Sequence, residues 1–208
     1  MCLCVCLSVF CAVLRFQGWR FANLRGVADQ YAAGGFTVYI PSVINDGEEA
    51  HPDRVDEWRV GLAGWLERNS TARAGERAVA LAKNLQEQGK HKRIAIIGFC
   101  YGAKGAIEAF KTGAVHAAIL FHPSFFTEED ATALQNKGPI LFQCSEKDQA
   151  FDPLRPTYEK ILGEQKDVKF NTYPHTAHGF GSRPTGEEEI KQKDLAHKDA
   201  CEWLKANL

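Results

Sequence analysis

Short apolar runs and longer amphipathic segments alternate along most of the chain. The apolar runs predict strands at residues 36–40, 94–97, 117–121, 139–144 and 168–173. The amphipathic segments predict helices at residues 23–33, 55–68, 71–88, 128–136 and 154–162, with a further long helix from about residue 187. Strands that alternate with helices are typical of a mostly parallel sheet with helices on both faces, so we predict an α/β fold.

Composition narrows the class of protein. The 208 residues are enough for one domain with a sizeable core, and 45% of them are hydrophobic. The formal net charge of −1 gives no reason to expect binding to nucleic acid or to an acidic membrane surface. The seven cysteines follow neither a disulfide framework nor zinc-ligand spacing, so we expect no metal and no cofactor.

The segment 93–106, RIAIIGFCYGAKGA, contains the most informative chemistry. A predicted strand ends at a turn with the spacing Gly98-x-Cys100-x-Gly102, and a helical segment of small residues follows. This layout is typical of a nucleophile elbow, whose strained turn lifts the central side chain above the sheet. A helix N-terminus favours thiolate over thiol, so the layout predicts a reactive Cys100. The alternative is a buried core cysteine with glycines beside it by chance.

An acid and a histidine follow in the chain order of an α/β-hydrolase. Asp148 lies just beyond one predicted strand, and His178 lies in the loop after the next strand. Because the carboxyl ends of parallel strands meet at one edge of a sheet, both side chains are candidates to lie beside Cys100. The sequence therefore predicts a nucleophile, an acid and a base in three separate loops.

The acid and the base each have competitors. Asp152 and Glu146 are the alternative acids. Asp152 precedes a proline, which is typical of a helix cap, and Glu146 is expected to face solvent. His175 is the alternative base, but we favour His178 because Gly179 lets the backbone turn tightly and the phenylalanine after it can anchor the loop. The histidines in polar surroundings are predicted at the surface, namely His51, His91, His116 and His197.

Taken together, these motifs resemble the dienelactone hydrolase family of α/β-hydrolases. The resemblance rests on GFCYGAK at 98–104, SEKD at 145–148 and HGF at 178–180, and it extends from about Gly18 to the C-terminus. It implies an α/β-hydrolase fold in which Cys100 is the nucleophile, Asp148 orients the base, and His178 is the base and acid. Most relatives of this fold have serine at the elbow, so the cysteine is the specific part of the match.

The resemblance also implies a reaction and a small-molecule substrate. The reaction is hydrolysis of a carboxylate-bearing ester or lactone through a thioester. The oxyanion is expected to bind the backbone N–H of Tyr101 and a second N–H in the loop near Phe16 or Gln17. Arg183 is the candidate for the substrate carboxylate, with a surface arginine as the alternative. Trp19 and His122 are further candidates to line the pocket, with core packing or a structural role as the alternative.

The N-terminal segment 1–17 departs from this family. Residues 1–14, MCLCVCLSVFCAVL, are apolar and predict one strand, and they are too short to span a membrane and lack the charged start of a secretory signal. We expect the two N-terminal edge strands of the family to be missing. Arg15 occupies the position where relatives have an acid near the thiol. The resulting hypothesis is a truncated chain with a less activated thiol.

Two other classes of protein remain open at this stage. One is a thiol-redox protein in which Cys100 is oxidised, although the best candidate for a resolving thiol, Cys144, is expected in the core. The other is a non-catalytic or truncated remnant of the hydrolase fold. A thiol nucleophile requires a reducing compartment, so we expect a cytoplasmic location, and we expect a monomer or a homodimer.

Overall fold

The computed structural model describes residues 17–45, 48–49, 61–89, 91 and 93–208. Within these residues, four strands form one parallel sheet in which sequence order is also spatial order. The strands are β1 (Ala95–Phe99), β2 (Ala117–Phe121), β3 (Ile140–Lys147) and β4 (Val168–Ala177). Every residue of β1 and β2 is buried, which explains why both appear in the sequence as unbroken apolar runs.

Helices precede, connect and follow these strands. They are α1 (Ala22–Ala33), α2 (Leu62–Arg68), α3 (Thr71–Glu87), α4 (Tyr101–Lys111), α5 (Glu128–Ala133), α6 (Arg155–Leu162) and α7 (Gly186–Asn207). A helix lies between each pair of consecutive strands, as a parallel sheet requires. The predicted α/β fold with a parallel sheet is confirmed.

Alternate residues of the strands enter two separate apolar layers, one on each face of the sheet. In β1, Ile96 packs into the layer that α3 and α4 cover, whereas Ile97 packs into the layer under α1 and α7. The long helix α7 buries Ala196, Ala200 and Leu204 in this second layer. The predicted helices on both faces of the sheet, and the predicted apolar face of α7, are confirmed.

The predicted strand at residues 36–40 is wrong. Its side chains alternate between the two layers as those of a strand would, with Tyr39 against the α3 and α4 layer and Ile40 against the other. A strand also requires a ladder of backbone hydrogen bonds, which this segment does not form within the described chain. The Phe36 N–H instead donates to the Tyr31 carbonyl near the end of α1, at 3.3 Å. Alternating side chains indicate which layer each residue faces, but they do not indicate whether the backbone forms hydrogen bonds with a neighbouring strand.

His197 is buried, so its predicted surface position is wrong. Its ring is 3% exposed and stacks on Phe121, with 4.8 Å between the ring centroids. Its Nε2 lies 2.7 Å from the Gly181 carbonyl oxygen and its Nδ1 lies 3.0 Å from the Tyr31 hydroxyl. Polar neighbours in the sequence mislead here because α7 turns them to solvent while it turns His197 to the sheet.

Some predicted elements differ in their ends or lie outside the described residues. β4 continues to Ala177, past its predicted end at residue 173, and therefore contains His175. The helix predicted at residues 55–68 is described only from residue 61 and forms α2. The predictions that fall outside the described residues concern the strand at residues 1–14, the missing edge strands, Arg15, His51 and Phe16 as one of the two candidates for the second oxyanion contact.

Candidate active site

Cys100 occupies the turn between β1 and α4. Its backbone has φ 54° and ψ −121°, a conformation that residues with a side chain rarely adopt, and the first residue of α4 follows directly. A Cβ at Gly98 would lie 2.4 Å from the Gly102 carbonyl oxygen and 2.5 Å from the Ala103 Cα. The start of α4 therefore approaches the end of β1 so closely that residue 98 must be glycine.

The side chains of Asp148, His178 and Cys100 form one hydrogen-bonded chain. Asp148 follows β3 directly, and its Oδ1 lies 2.8 Å from the His178 Nδ1. His178 follows β4 directly, and its Nε2 lies 3.0 Å from the Cys100 Sγ. Since an ionised carboxylate only accepts hydrogen bonds, Nδ1 carries a proton and Nε2 faces the sulfur. The structure thus brings together three residues that are far apart in the sequence and follow three different strands.

Asp148 is held in a fixed position by its neighbours. Its side chain is 2% exposed. Its Oδ2 accepts the Ser145 hydroxyl at 3.1 Å, and its Oδ1 also accepts the Ala150 N–H at 3.1 Å. Its backbone N–H donates to the Asp152 carboxylate at 2.8 Å. Asp152 therefore supports Asp148, and its predicted role as a helix cap is wrong because α6 begins only at Arg155, after Leu154.

The competing acid and base lie outside this chain. Glu146 and His175 are both exposed, and the Glu146 carboxylate accepts the His175 backbone N–H at 2.6 Å. The expectation that Glu146 faces solvent agrees with its exposure. Neither side chain is among the partners of His178 in the hydrogen-bonded chain. The geometry thus favours Asp148 and His178 over these alternatives.

The loop that carries His178 is fastened at both ends. Gly179 has φ 106°, and Phe180 is fully buried, as the tight turn and the apolar anchor in the sequence predicted. The Glu189 carboxylate, 7% exposed, accepts the Ala177 N–H at 2.8 Å and the Thr185 N–H at 2.6 Å. Glu189 is not predictable from the sequence as a support of this loop, because a glutamate near a helix N-terminus is ordinarily a surface residue.

The electrostatics of His178 depend on its two partners. Burial lowers the pKa of His178, but the hydrogen bonds and charges of Asp148 and Cys100 outweigh this effect and raise it to about 10. At neutral pH the imidazole is therefore protonated beside the sulfur. A nearby cation and the N-terminus of α4 both favour the thiolate form of Cys100. The arrangement is suited to a charged sulfur nucleophile with an acid next to it.

Ser124 is a polar residue of this site that the sequence analysis did not assign. Its Oγ lies 3.4 Å from the Cys100 Sγ and 3.3 Å from the His178 Nε2. Its backbone N–H donates to the Cys100 carbonyl at 3.3 Å. A signal for it exists in the sequence, because Ser124 comes three residues after β2, the neighbour of β1, and the carboxyl ends of adjacent parallel strands meet.

The side chains of Tyr101 and His122 are buried next to the reacting residues. The Tyr101 side chain is buried, and its hydroxyl donates to the Asn69 carbonyl at 2.8 Å, so it packs in the core. Its backbone N–H is in the first turn of α4, where N–H groups lack partners within the helix. His122 is fully buried, and its ring packs edge-on against His178 with 4.9 Å between centroids. His122 thus supports the ring of His178. The predicted contact of His122 with substrate stays a prediction.

Trp19 and Arg183 are the more accessible of the predicted substrate-binding residues. Trp19 is 40% exposed, and the Arg20 guanidinium lies 4.8 Å from the centroid of its ring. Arg183 is half-buried, and its Nη2 would lie 3.6 Å from a Cβ at Gly179, the residue next to His178. The guanidinium is thus adjacent to the loop that carries the base.

The described residues also bear on metal sites and membrane spans. Among the described residues, no group of three or more histidine, cysteine, aspartate or glutamate side chains is arranged to hold a metal ion. None of the helices in the described part of the chain is long and apolar enough to cross a membrane.

Comparison with known proteins gives the context of this geometry. The chain is 24% identical over 168 residues to hydrolase pyvD of Aspergillus violaceofuscus, covering 80% of this chain and 66% of the relative. It is 26% identical over 195 residues to the carboxymethylenebutenolidase homolog of Homo sapiens, covering 90% of this chain and 77% of the relative. The chain therefore spans about two thirds to three quarters of the length of these relatives.

A solved structure and a family model agree with these relatives. The crystal structure of dienelactone hydrolase from Anabaena variabilis superposes with a TM-score of 0.71 at 18% identity, covering 97% of this chain and 86% of that one. This likeness shows the α/β-hydrolase fold. The model of the dienelactone hydrolase family matches residues 9–208. The chain therefore belongs to the dienelactone hydrolase family of ester and lactone hydrolases.

Proposed function

We propose that Cys100, His178 and Asp148 are the catalytic triad of this hydrolase and that the reaction passes through a thioester on Cys100. The observation that supports this proposal is the unbroken chain of hydrogen bonds from the Asp148 carboxylate through His178 to the Cys100 sulfur, at 2.8 Å and 3.0 Å. The chain ends at a strained turn before a helix N-terminus, where a thiolate is favoured. Strain of this kind is concentrated at functional sites.

Acylation begins from the pair of Cys100 thiolate and His178 imidazolium. The sulfur attacks the carbonyl carbon of the ester or lactone, and the carbonyl π electrons move to its oxygen. In this proposal the backbone N–H of Tyr101 binds the oxyanion, which is supported by its position in the first turn of α4, where N–H groups lack partners within the helix. The carbon–oxygen bond to the leaving group then breaks, and the His178 Nε2–H gives its proton to the departing oxygen.

Hydrolysis of the thioester restores the enzyme. His178, now neutral, takes a proton from a water molecule, whose oxygen attacks the thioester carbonyl. The carbon–sulfur bond breaks, sulfur leaves as the thiolate, and the acyl group departs as a carboxylic acid. Asp148 holds the tautomer of His178 throughout, because its buried carboxylate accepts the Nδ1–H.

Arg183 supports the more specific proposal that the substrate bears a carboxylate. Its guanidinium lies next to Gly179, the residue that follows His178, and it is half-buried. In the described chain it forms no ion pair with a carboxylate of the protein. A guanidinium in this state is suited to bind a carboxylate of a ligand in bidentate fashion. The substrate class that this site favours is an anionic ester or lactone.

The test of the triad uses turnover together with capture of the intermediate. Hydrolysis of p-nitrophenyl acetate and of a dienelactone is measured for the wild type, Cys100→Ala and His178→Ala, and the acylated enzyme is sought by mass spectrometry. We expect both variants to lose turnover and Cys100→Ala to lose the acyl adduct. Full hydrolysis by Cys100→Ala, or an acyl group on another residue, would remove the proposal.

Cys144 provides the matched control for this experiment. It is a second buried cysteine, in β3, and burial raises the pKa of its thiol to about 12. Cys144→Ala should therefore keep both turnover and the acyl adduct. The same variant tests the redox alternative, in which loss of Cys144 would prevent resolution of an oxidised Cys100.

A further inference from the structure

The loop after β2 has an unusual backbone around Ser124. Two residues that are not glycine adopt positive φ, His122 at 34° and Phe125 at 63°, and they lie on either side of Ser124. Such conformations are costly and persist where the surrounding structure requires them. The His122 N–H donates to the Gln143 carbonyl of β3 at 2.9 Å, and the Ser124 N–H donates to the Cys100 carbonyl. These hydrogen bonds hold the loop to β3 on one side and to the turn after β1 on the other.

The strained loop places one hydroxyl beside both reacting side chains. The Ser124 Oγ lies 3.4 Å from the Cys100 Sγ and 3.3 Å from the His178 Nε2, and those two atoms are 3.0 Å apart. Ser124 is 6% exposed, so water competes little for its hydroxyl. The hydroxyl has one proton to donate and can accept another.

The protonation state of the pair decides how the hydroxyl points. The Nε2 of an imidazolium has one proton, directed toward the sulfur and the hydroxyl oxygen together. A thiolate is the most basic acceptor in this triangle, and hydrogen bonds to charged groups are stronger than neutral ones. The Ser124 hydroxyl therefore forms its stronger hydrogen bond as a donor to the Cys100 sulfur. In this orientation its oxygen faces the His178 Nε2–H.

We propose that Ser124 is a further catalytic residue, whose hydroxyl donates a hydrogen bond to the Cys100 thiolate and holds this sulfur in position for attack. The inference rests on the proposed role of Cys100 as the nucleophile. In this inference Ser124 stabilises the Cys100 thiolate together with His178 and the N-terminus of α4. Removal of the hydroxyl should therefore make the thiol harder to ionise.

The test measures thiol ionisation and does not depend on hydrolysis. The rate of alkylation of Cys100 by iodoacetamide is followed against pH by mass spectrometry, for the wild type, Ser124→Ala and Ser124→Thr. The midpoint of this curve of alkylation rate against pH reports ionisation of the Cys100 thiol. We expect it to rise by about one pH unit in Ser124→Ala, which corresponds to alkylation about tenfold slower at pH values below the midpoint. Ser124→Thr, which keeps a hydroxyl, should remain near the wild-type midpoint.

The controls separate this inference from a merely structural role. Ser42→Ala removes a hydroxyl that bonds the Ile44 carbonyl and should leave the midpoint unchanged. Ser124→Gly also removes the hydroxyl and is measured in place of Ser124→Ala if the latter does not fold. An unchanged midpoint in the folded variant would overturn the inference. If Cys100→Ala still hydrolysed substrate, the proposed function would fail, while the alkylation profile would still decide whether Ser124 stabilises the thiolate.

Discussion

The regions around His178 and His197 place a half-buried and a fully buried imidazole in opposite electrostatic surroundings. His178, at the carboxyl ends of the strands, bonds the Asp148 carboxylate and the Cys100 sulfur, and their hydrogen bonds and charges raise its pKa to about 10. His197, in the apolar layer under α7, bonds a backbone carbonyl and the Tyr31 phenol, and burial lowers its pKa to about 4. Burial acts in the same direction on both. The charge of the partners therefore decides the protonation state.

The two histidines also contribute to stability with opposite dependence on pH. The pKa of His178 in the folded protein is above its ordinary value of 6.5, so its contribution is present below pH 6.5 and is lost as pH rises through about 10. The pKa of His197 is below that value, so its contribution is present above pH 6.5 and is lost as pH falls toward about 4. Low pH therefore destabilises the region around His197, and high pH destabilises the region around His178.

The largest effect is expected from Asp148→Asn, which removes the charged partner that distinguishes His178 from His197. The amide donates where a carboxylate accepts, so His178 would adopt the wrong tautomer. We expect kcat to fall by roughly 10³–10⁴-fold and the pKa of His178 to decrease. Steady-state kinetics and NMR titration of the imidazole measure the two quantities.

Asp152→Asn is the matched control for this variant. Its carboxylate accepts the Asp148 backbone N–H and does not bond His178 in the hydrogen-bonded chain. We expect its loss of kcat to be less than about tenfold. If the two variants lost activity equally, the charge on His178 would not be the cause.

His197→Gln tests whether the lowered pKa of His197 makes the folded protein sensitive to acid. A glutamine amide can donate to the Gly181 carbonyl and accept from Tyr31, but it does not titrate. The difference between pKa 6.5 and about 4 corresponds to about 3 kcal/mol, so the wild type should lose this much unfolding free energy between these pH values. The variant should lack that loss, as measured by urea unfolding at several pH values.

The exposed His175 is the control for acid sensitivity. Its side chain reaches solvent in the folded protein, so His175→Gln should retain the loss of stability that the wild type shows in acid. An equal effect of both histidine variants would assign the acid sensitivity to another group.

Gly98→Ala tests whether the position of Cys100 depends on the close approach of α4. The added Cβ meets backbone atoms of Gly102 and Ala103 at 2.4 Å and 2.5 Å, so α4 must shift. We expect a loss of about 2 kcal/mol in unfolding free energy, together with loss of turnover. Gly26→Ala, at an exposed position of α1 with no atom within 4 Å of the new Cβ, should instead stabilise by about 0.5–1 kcal/mol. Equal melting temperatures for the two variants would contradict this argument.

The smallest effect is expected from Arg183→Ala, which extends the comparison to the substrate. If the guanidinium binds a carboxylate, KM for an anionic lactone should rise about tenfold, while KM for p-nitrophenyl acetate stays nearly constant. Lys191→Ala, which removes an exposed cation of α7, is the control and should change neither value. A similar rise in KM for both substrates would return Arg183 to a structural role.

The sequence by itself determined the fold class and the three residues of the proposed triad. Buried parallel strands must be apolar along their whole length, so β1 and β2 are visible as runs. The conformation of Cys100 is encoded locally by Gly98, because the close approach of strand and helix involves residues near in sequence. The chain order then leads to Asp148 and His178, because each follows a strand of the same sheet directly.

The tertiary structure alone decided the features that depend on contacts distant in sequence. The position of Ser124 after β2 indicates in the sequence only that it lies near the carboxyl ends of the strands. Its contacts with Cys100 and His178 depend on the strained path of the loop, which the tertiary structure decides. His197 becomes buried through partners at Tyr31 and Gly181, far away along the chain. The segment at residues 36–40 shows the same limit, since alternating side chains are local whereas the hydrogen bonds of a strand belong to its neighbour.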